Sequence, residues 1–355
     1  MPEKTVTTAR SNSKTVLVAG GAGYIGSYTC KALAAAGYMP LTYDNLSTGH
    51  RWAVKWGPLE VGEIADRRRL DEVIGRWRPN SVMHFAACIS VAESVENPSL
   101  YYRNNVAATL NLLEAVRSHN IGRFVFSSSA AVYGIPGQTP IPEDHRLEPV
   151  NPYGWSKFMV ERILADFNRA HGLASVSLRY FNAAGADPDG CIGEDHDPEN
   201  HLIPIVLEAV IGRRKSVSIY GTDYDTADGT CVRDYIHVAD LAEAHVLALR
   251  YLLKNTGCSA VNVGAGRGWS VRQVIETAEK VTGSRIHVVE GARRPGDPPV
   301  LVASAHQARK LLGWKPSQSG LENILQTAYN WHRLKGQRPG TQPAGDASHR
   351  TGDGK

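Results

Sequence analysis

The chain has 355 residues, 42% of them hydrophobic and 21% charged, with a formal net charge of +4. That length serves one large domain or two modest ones, and the composition is that of an ordinary globular protein. The weak charge, with Lys and Arg scattered, argues against nucleic acid as a partner, and no apolar run reaches the ~18 residues that cross a bilayer.

Residues 1–14 are polar, lack the apolar core of a secretory signal, and are expected to form a disordered leader. Thr15 to Ala19 predicts a buried strand, Ile25 to Ala36 a helix, and Met39 to Tyr43 the next strand. Further strands are predicted at Ser81–Phe85, Arg123–Ser127 and Val176–Tyr180, with helices at Arg67–Trp77, Leu100–His119 and Trp155–His171 between them. Such alternation predicts an α/β fold with a doubly wound parallel sheet covered on both faces. After Asn182 the rhythm breaks, and 186–201, rich in Asp, Gly, Glu, Pro and His, reads as a long functional loop. A strand is expected at Ala260–Gly264. It precedes an amphipathic helix carrying Val271, Val274, Ile275, Ala278 and Val281, with Ser270 as N-cap. The expected division is a dinucleotide-binding domain at 15–181, joined by about 233–264. A smaller α/β substrate domain takes 182–232 and 265–334, and 335–355 is a disordered tail. The cysteines Cys30, Cys88, Cys191, Cys231 and Cys258 are odd in number and show no Cys-x-x-Cys spacing, as expected of thiols in a reducing cytoplasm.

Gly20-Gly21-Ala22-Gly23-Tyr24-Ile25-Gly26 follows the first strand and opens the first helix. Glycines there make a tight turn and let the backbone approach a pyrophosphate held at the positive helix end. A glycine-rich run alone is a weak signal. Here Asp44, about 20 residues on at the end of the second strand, raises it, because a carboxylate there bonds ribose hydroxyls and repels a 2′-phosphate. NAD, a Rossmann-type ligand, is therefore expected rather than NADP.

Tyr153 and Lys157 lie four residues apart at a predicted helix start, after Asn151-Pro152, and so share a face. A phenol of pKa near ~10 is a poor base at neutral pH, and an adjacent ammonium is expected to lower it. Tyr-x-x-x-Lys is common by chance on helix surfaces. Ser129, closing Ser127-Ser128-Ser129 at the carboxyl edge of the sheet, gives it company and can bond a reacting hydroxyl.

With these go His84-Phe85-Ala86-Ala87, Val132-Tyr133-Gly134, Arg179-Tyr180-Phe181-Asn182, Val232 to Val238 and Arg293 to Asp297. From about Val16 to His332 the chain resembles the UDP-glucose 4-epimerases, within the extended short-chain dehydrogenase/reductases. The resemblance implies that Tyr153 takes the proton from the sugar 4-hydroxyl, helped by Ser129 and Lys157, while hydride passes to and from tightly held NAD. It places Gly20, Gly23, Tyr24, Ile25, Gly26, Asp44, Asn45, Glu63, Ile64, Phe85, Ala86, Ala87, Asn104, Tyr153, Lys157 and Tyr180 at the cofactor. It places Ser129, Tyr153, Asn182, Leu202, Tyr220, Arg233, Arg294, Asp297 and Leu301 at the UDP-sugar. It also implies a homodimer.

Some positions depart from the family pattern. Glu63 stands for an Asp, Ile89 for a lysine of some members, Ala131 for a threonine, and His201 for an asparagine beside the uracil. Leu301 stands where members restricted to glucose and galactose resemble one another in carrying a tyrosine, so acceptance of UDP-N-acetylhexosamines is expected as well. Ala130 and Ala131 replace the Asp-Glu pair of 4,6-dehydratases, which disfavours dehydration. UDP-pentose or UDP-uronate 4-epimerisation stays open. A silent NAD-sensing protein is a distant alternative, since Tyr153 and Lys157 are both kept. Asp195, His196, Asp197, Glu199 and His201 suggest a metal, but they sit in a loop with no second ligand group nearby in sequence, and no metal is expected.

Overall fold

A computed structural model describes residues 14–294 and 296–335, so the expected leader and tail lie almost wholly outside the described residues. The chain runs β1 (Thr15–Ala19), α1 (Tyr24–Ala35), β2 (Met39–Asp44), β3 (Leu59–Val61), α2 (Arg67–Trp77), β4 (Ser81–His84), α3 (Val91–Glu96), α4 (Pro98–Tyr101), α5 (Ala108–Ser118), β5 (Arg123–Ser129), α6 (Pro152–His171) and β6 (Ala174–Tyr180). It continues through β7 (Asn182–Ala184), α7 (Leu202–Val210), β8 (Val217–Tyr220), β9 (Val232–His237), α8 (Val238–Leu252), β10 (Cys258–Val263) and β11 (Gly268–Ser270). The last elements are α9 (Val271–Thr282), β12 (Val288–Gly291), β13 (Val300–Leu301) and α10 (Leu321–Lys335).

The expected doubly wound sheet is present: seven parallel strands in the order β10-β6-β5-β4-β1-β2-β3. All of β1 is buried, because successive side chains leave the strand on opposite faces. Val16 and Val18 pack with Leu33 of α1 and Leu249 of α8, whereas Leu17 and Ala19 pack with Leu70, Leu113 and Leu164 from α2, α5 and α6. Each such aliphatic side chain contributes about 1.5–3 kcal/mol by leaving water. The strand order turns back between β1 and β4, and in such sheets ligands enter the crevice at that point, beyond the carboxyl ends.

A smaller layer holds β11-β9-β13 with β7 against β9, and the pair β12-β8. Helices α7, α9 and α10 cover it through Ile203, Val206, Leu207, Val274, Ile275, Leu321 and Leu325. Ser270 caps α9 as expected, in a reciprocal capping box with Gln273.

Two features differ from the sequence reading. Residues 233–237 were grouped with the dinucleotide domain, yet β9 pairs with β7, β11 and β13 in the smaller sheet. Only after His237 does the chain return to the large sheet, through α8 and β10. The single helix expected over 100–119 is also divided, with a π-helical segment at Tyr102–Ala107 between α4 and α5. That wider turn carries Asn105 into the interior, where its amide holds both Cys88 N (2.8 Å) and Cys88 O (2.9 Å).

Beneath the edge of β5 lies a closed polar network. Ser128 Oγ donates to Glu161 Oε1 (2.5 Å), and Arg179 binds the same carboxylate through Nε (3.0 Å) and Nη2 (2.6 Å). Arg179 also donates to Tyr133 Oη (3.0 Å), which donates to Asn262 Oδ1 (2.6 Å). Every member is buried. Removing one partner leaves an uncompensated charge, which costs about 3–5 kcal/mol. Glu161→Ala is accordingly expected to lower unfolding free energy by that order in urea titration; a loss below about 1 kcal/mol would show that Arg179 finds another partner.

Candidate active site

The turn after β1 is shaped by steric necessity. Gly20 has φ +81°, and a Cβ there would lie 2.5 Å from Ala86 N. A Cβ on Gly26 would lie 2.1 Å from Gly20 O, so α1 can approach the turn this closely only with glycine. Ala19 O accepts from Phe85 N (2.7 Å) and Ala86 N (3.1 Å), which brings the loop after β4 against the same turn. Phe85 is held from behind by His245 of α8 (ring centroids 4.7 Å apart), and the same imidazole lies 6.1 Å from the Tyr180 ring. No side chain caps α1, whose N-cap is Gly23. The first turn therefore presents backbone N–H groups and the positive helix end to an anion.

Asp44 closes the adenosine side. Its carboxylate accepts from Ala22 N (2.9 Å) and Leu46 N (2.8 Å). Burial raises its pKa, and those two N–H groups oppose the rise. Asn45 donates to Glu63 Oε1 (2.8 Å), and Ile64 lies buried beside them, so these four predicted residues form one rim. Tyr24 reaches the other way and donates to Gly185 O (2.6 Å). Asn104 sits apart in the π-helical segment, donating to Asn105 Oδ1 (2.9 Å). It is Asn105, which sequence reasoning passed over, that ties the loop after β4 to Ser156 of α6 (3.0 Å).

Tyr153, Lys157 and Ser129 meet above the ends of β5 and β6. Asn151 caps α6 by accepting from Gly154 N (2.8 Å), and Pro152 fills its first turn. Lys157 is buried and donates from Nζ to Ser127 O (2.9 Å), with the Tyr153 ring centroid 5.7 Å from its ammonium. Ser129 closes β5 nearby, its Oγ accepting from Ala131 N (3.1 Å). Tyr180 contacts Ser127 Oγ through its own hydroxyl. The expected lowering of the Tyr153 pKa by Lys157 does not appear. Burial raises the phenol, and Ser129 offsets part of that rise.

On the smaller sheet, Arg233 pairs with Asp297 and donates to Val232 O (2.8 Å). The two predicted ligand groups are thus also partners of one another. Arg294 lies over the Tyr220 ring at 4.1 Å. Asn182 donates to Asp234 O (3.1 Å), Leu202 opens α7, and half-buried Leu301 packs with Phe181 against Tyr133 and Ile141. Asp234 was read only as part of a motif. Its buried carboxylate accepts from Ala265 N (2.8 Å), Gly266 N (3.0 Å) and Ala303 N (3.1 Å), tying β9 to the segments after β10 and β13. Burial pushes its pKa up to about 6 against those three N–H groups.

A cradle that admits only glycine, an uncapped helix start and a strand-end carboxylate together fit a dinucleotide without a 2′-phosphate. Residues 16–264 match the NAD dependent epimerase/dehydratase family. The chain belongs to that family. Within it, a UDP-glucose 4-epimerase of Rhizobium meliloti is 52% identical over 91% of this chain and 98% of its own length. The crystal structure of UDP-glucose 4-epimerase from Brucella ovis in complex with NAD superposes with a TM-score of 0.87. It is 51% identical, covering 89% of this chain and 97% of its own. That of UDP-glucose 4-epimerase from Bifidobacterium longum in complex with NAD+ and UDP gives 0.86 at 39% identity, over 90% and 98%.

In this member of the NAD dependent epimerase/dehydratase family, the buried Lys157 sets a pH signature. Burial presses its pKa down to about 8 from 10.5, with Cys88 pulling the other way. Above pH 8 the unfolded chain holds that proton and the folded chain releases it, so this group favours folding increasingly as pH climbs from 8 to 10.5. In cofactor-free protein, Lys157→Met is expected to flatten the stability-against-pH curve in that window by up to about 3 kcal/mol. Urea unfolding of both proteins at pH 7.5 and 10 measures it; parallel profiles would contradict a buried cation.

Proposed function

We propose that the chain is an NAD-dependent 4-epimerase that interconverts UDP-glucose and UDP-galactose through a 4-keto sugar. The observation that carries this reading is the Tyr153 ring, set 5.7 Å from the buried Lys157 ammonium beside the end of β5 that Ser129 closes. When bound, NAD supplies the acceptor and donor of the hydride at carbon 4.

Tyr153 removes the proton of the sugar 4-hydroxyl as the hydride leaves, with Ser129 relaying between that hydroxyl and the phenol. Lys157 holds positive charge beside the phenol, its position fixed by Ser127 O. The residues proposed to hold the cofactor are Gly20, Gly23, Tyr24, Ile25 and Gly26 at the phosphates, and Asp44, Asn45, Glu63 and Ile64 at the adenosine. Phe85, Ala86, Ala87, Asn104 and Tyr180, with Tyr153 and Lys157, line the remainder. Arg233 and Arg294 are assigned to the diphosphate, whose oxygens a guanidinium fork matches. Asp297, Asn182, Leu202 and Tyr220 are assigned to the nucleoside end. A firm grip there lets the flat keto sugar turn about its phosphate link and present its other face, after which Tyr153 returns the proton. No net redox change accrues, so the ketone must stay enclosed until hydride returns.

Around this site we propose a dinucleotide domain of 15–181 with α8 and β10, and a UDP-sugar domain from the remainder. Val91, Val95, Leu100, Trp155 and Met159 expose apolar surface along α3, α4 and α6, which supports pairing as a homodimer. Among the described residues no helix is long and apolar enough to cross a membrane, and a cytoplasmic setting is part of the proposal.

Incubation of the purified chain with UDP-galactose and no added NAD is expected to yield UDP-glucose, since the cofactor would co-purify. Tyr153→Phe should lower kcat by about 10²–10⁴-fold with the bound dinucleotide absorbance retained; turnover within tenfold of the unaltered chain would remove Tyr153 from the proposed role. Leu301 favours a wider sugar range, because a leucine beside the Val132, Tyr133 and Ile141 cluster leaves more room than a tyrosine. UDP-N-acetylgalactosamine is therefore expected to turn over at a rate comparable to UDP-galactose, and Leu301→Tyr to depress that reaction selectively. Negligible turnover of the N-acetylated sugar by the unaltered chain would restrict the reading to hexoses.

A further inference from the structure

We propose that Glu194, His196, Glu199 and His201 form a site for one divalent transition-metal cation, zinc by preference, that staples the loop 186–201 beside the dinucleotide turn. The expectation of no metal rested on a loop without another ligand group. That expectation passed over Glu194, next to Asp195 in the same loop, and the fold brings its carboxylate together with His196, Glu199 and His201. Asp195 turns instead toward His50 (3.6 Å), and Asp197 is exposed.

One ligand atom from each of the four side chains lies within 4.8 Å of all the others. His201 Nδ1 is 2.9 Å from both Glu194 Oε1 and Glu199 Oε1. His196 Nδ1 is 3.2 Å from Glu194 Oε1 and 3.8 Å from Glu199 Oε2. Four ligands about 2.0–2.1 Å from a tetrahedral zinc stand roughly 3.3–3.5 Å apart, so the set closes on a cation by side-chain rotation without moving the backbone far. The side chains of Glu194 and Glu199 are only 5% and 7% exposed. With His196 and His201 binding as neutral imidazoles, the two buried carboxylates supply the charge that one dication cancels. His196 Nδ1 is buried beside Glu194 yet has no partner in hydrogen-bond alignment. Imidazole with carboxylate is a donor set for zinc and its neighbours rather than for calcium or magnesium.

With four protein ligands the site leaves no open position, so its part is structural. It gathers several elements. Glu194 O accepts from Trp331 Nε1 of α10 (2.8 Å), and His201 is the N-cap residue of α7. His196 stands edge-on to Tyr24 (centroids 6.5 Å), whose hydroxyl already binds Gly185 O. A cation here fixes the loop against the first turn of α1.

The test uses the untagged full-length chain, freed of metal by chelator and then titrated with ZnCl2 by calorimetry. Elemental analysis follows after gel filtration. One equivalent of zinc per chain is expected. At a hundredfold excess over Kd the folded-to-unfolded ratio should rise about 100-fold, read as a higher Tm. His201→Gln changes an exposed ligand, so it should fold, and with His196→Gln it should weaken zinc binding on the order of 100-fold while leaving the metal-free Tm within a few degrees. Less than half an equivalent bound, an unmoved Tm, or unchanged affinity in both variants would overturn the site.

Discussion

The site depends on one buried cation. Lys157 reaches from the first turns of α6 to Ser127 O, and this single donor ties the end of β5 to α6 and thereby helps set the position of Tyr153. A charge taken out of water is costly, and a neutral carbonyl returns only part of that cost. The fold accepts the expense at the crevice between sheet edge and helix. Around it, Phe126 lends its ring face at 5.2 Å, and Asn105 anchors Ser156 of the same helix. The tyrosine is thus placed by groups that never touch a substrate.

Much of this was legible in the sequence, for reasons that differ between halves. β1, β2, β4, β5 and β6 announce themselves because strands buried on both faces carry nearly continuous apolar runs. The glycine turn is readable because backbone contact, not side-chain chemistry, dictates it: Gly20 and Gly26 have no room for a Cβ. Helix α8 escaped notice because it packs against both α1 and the sheet and is buried on most of its circumference, including Asp240 and His245. No single face then repeats every 3.6 residues. The smaller sheet was equally silent, since its strands are short and β9 was readable only as a motif.

The candidate residues divide in a similar way. Asp44, Tyr153, Lys157 and Ser129 stand where local spacing places them. The Arg233–Asp297 contact is non-local, joining residues 64 apart, and no period or spacing anticipates it. Asp234, Asn105 and Glu194 were missed for the converse reason. Each does its work by hydrogen bonding to backbone or by meeting side chains across a turn, and composition says nothing of direction. The lowered phenol pKa expected from sequence does not appear because burial of Tyr153, which the sequence does not show, raises it.

The three consecutive serines at the end of β5 carry a consequence of strand geometry. Because neighbours along a strand face opposite sides, Ser127 meets Tyr180 and Ser129 shares that side, while Ser128 points away to Glu161. The triplet is therefore not redundant, although its letters are identical. Deleting or inserting a single residue before Ser129 would exchange the two faces in one step, presenting a network hydroxyl to the crevice and a crevice hydroxyl to Glu161. Point substitution can vary this segment one role at a time. A change in its length cannot, and this part of the chain should tolerate altered spelling far better than altered spacing.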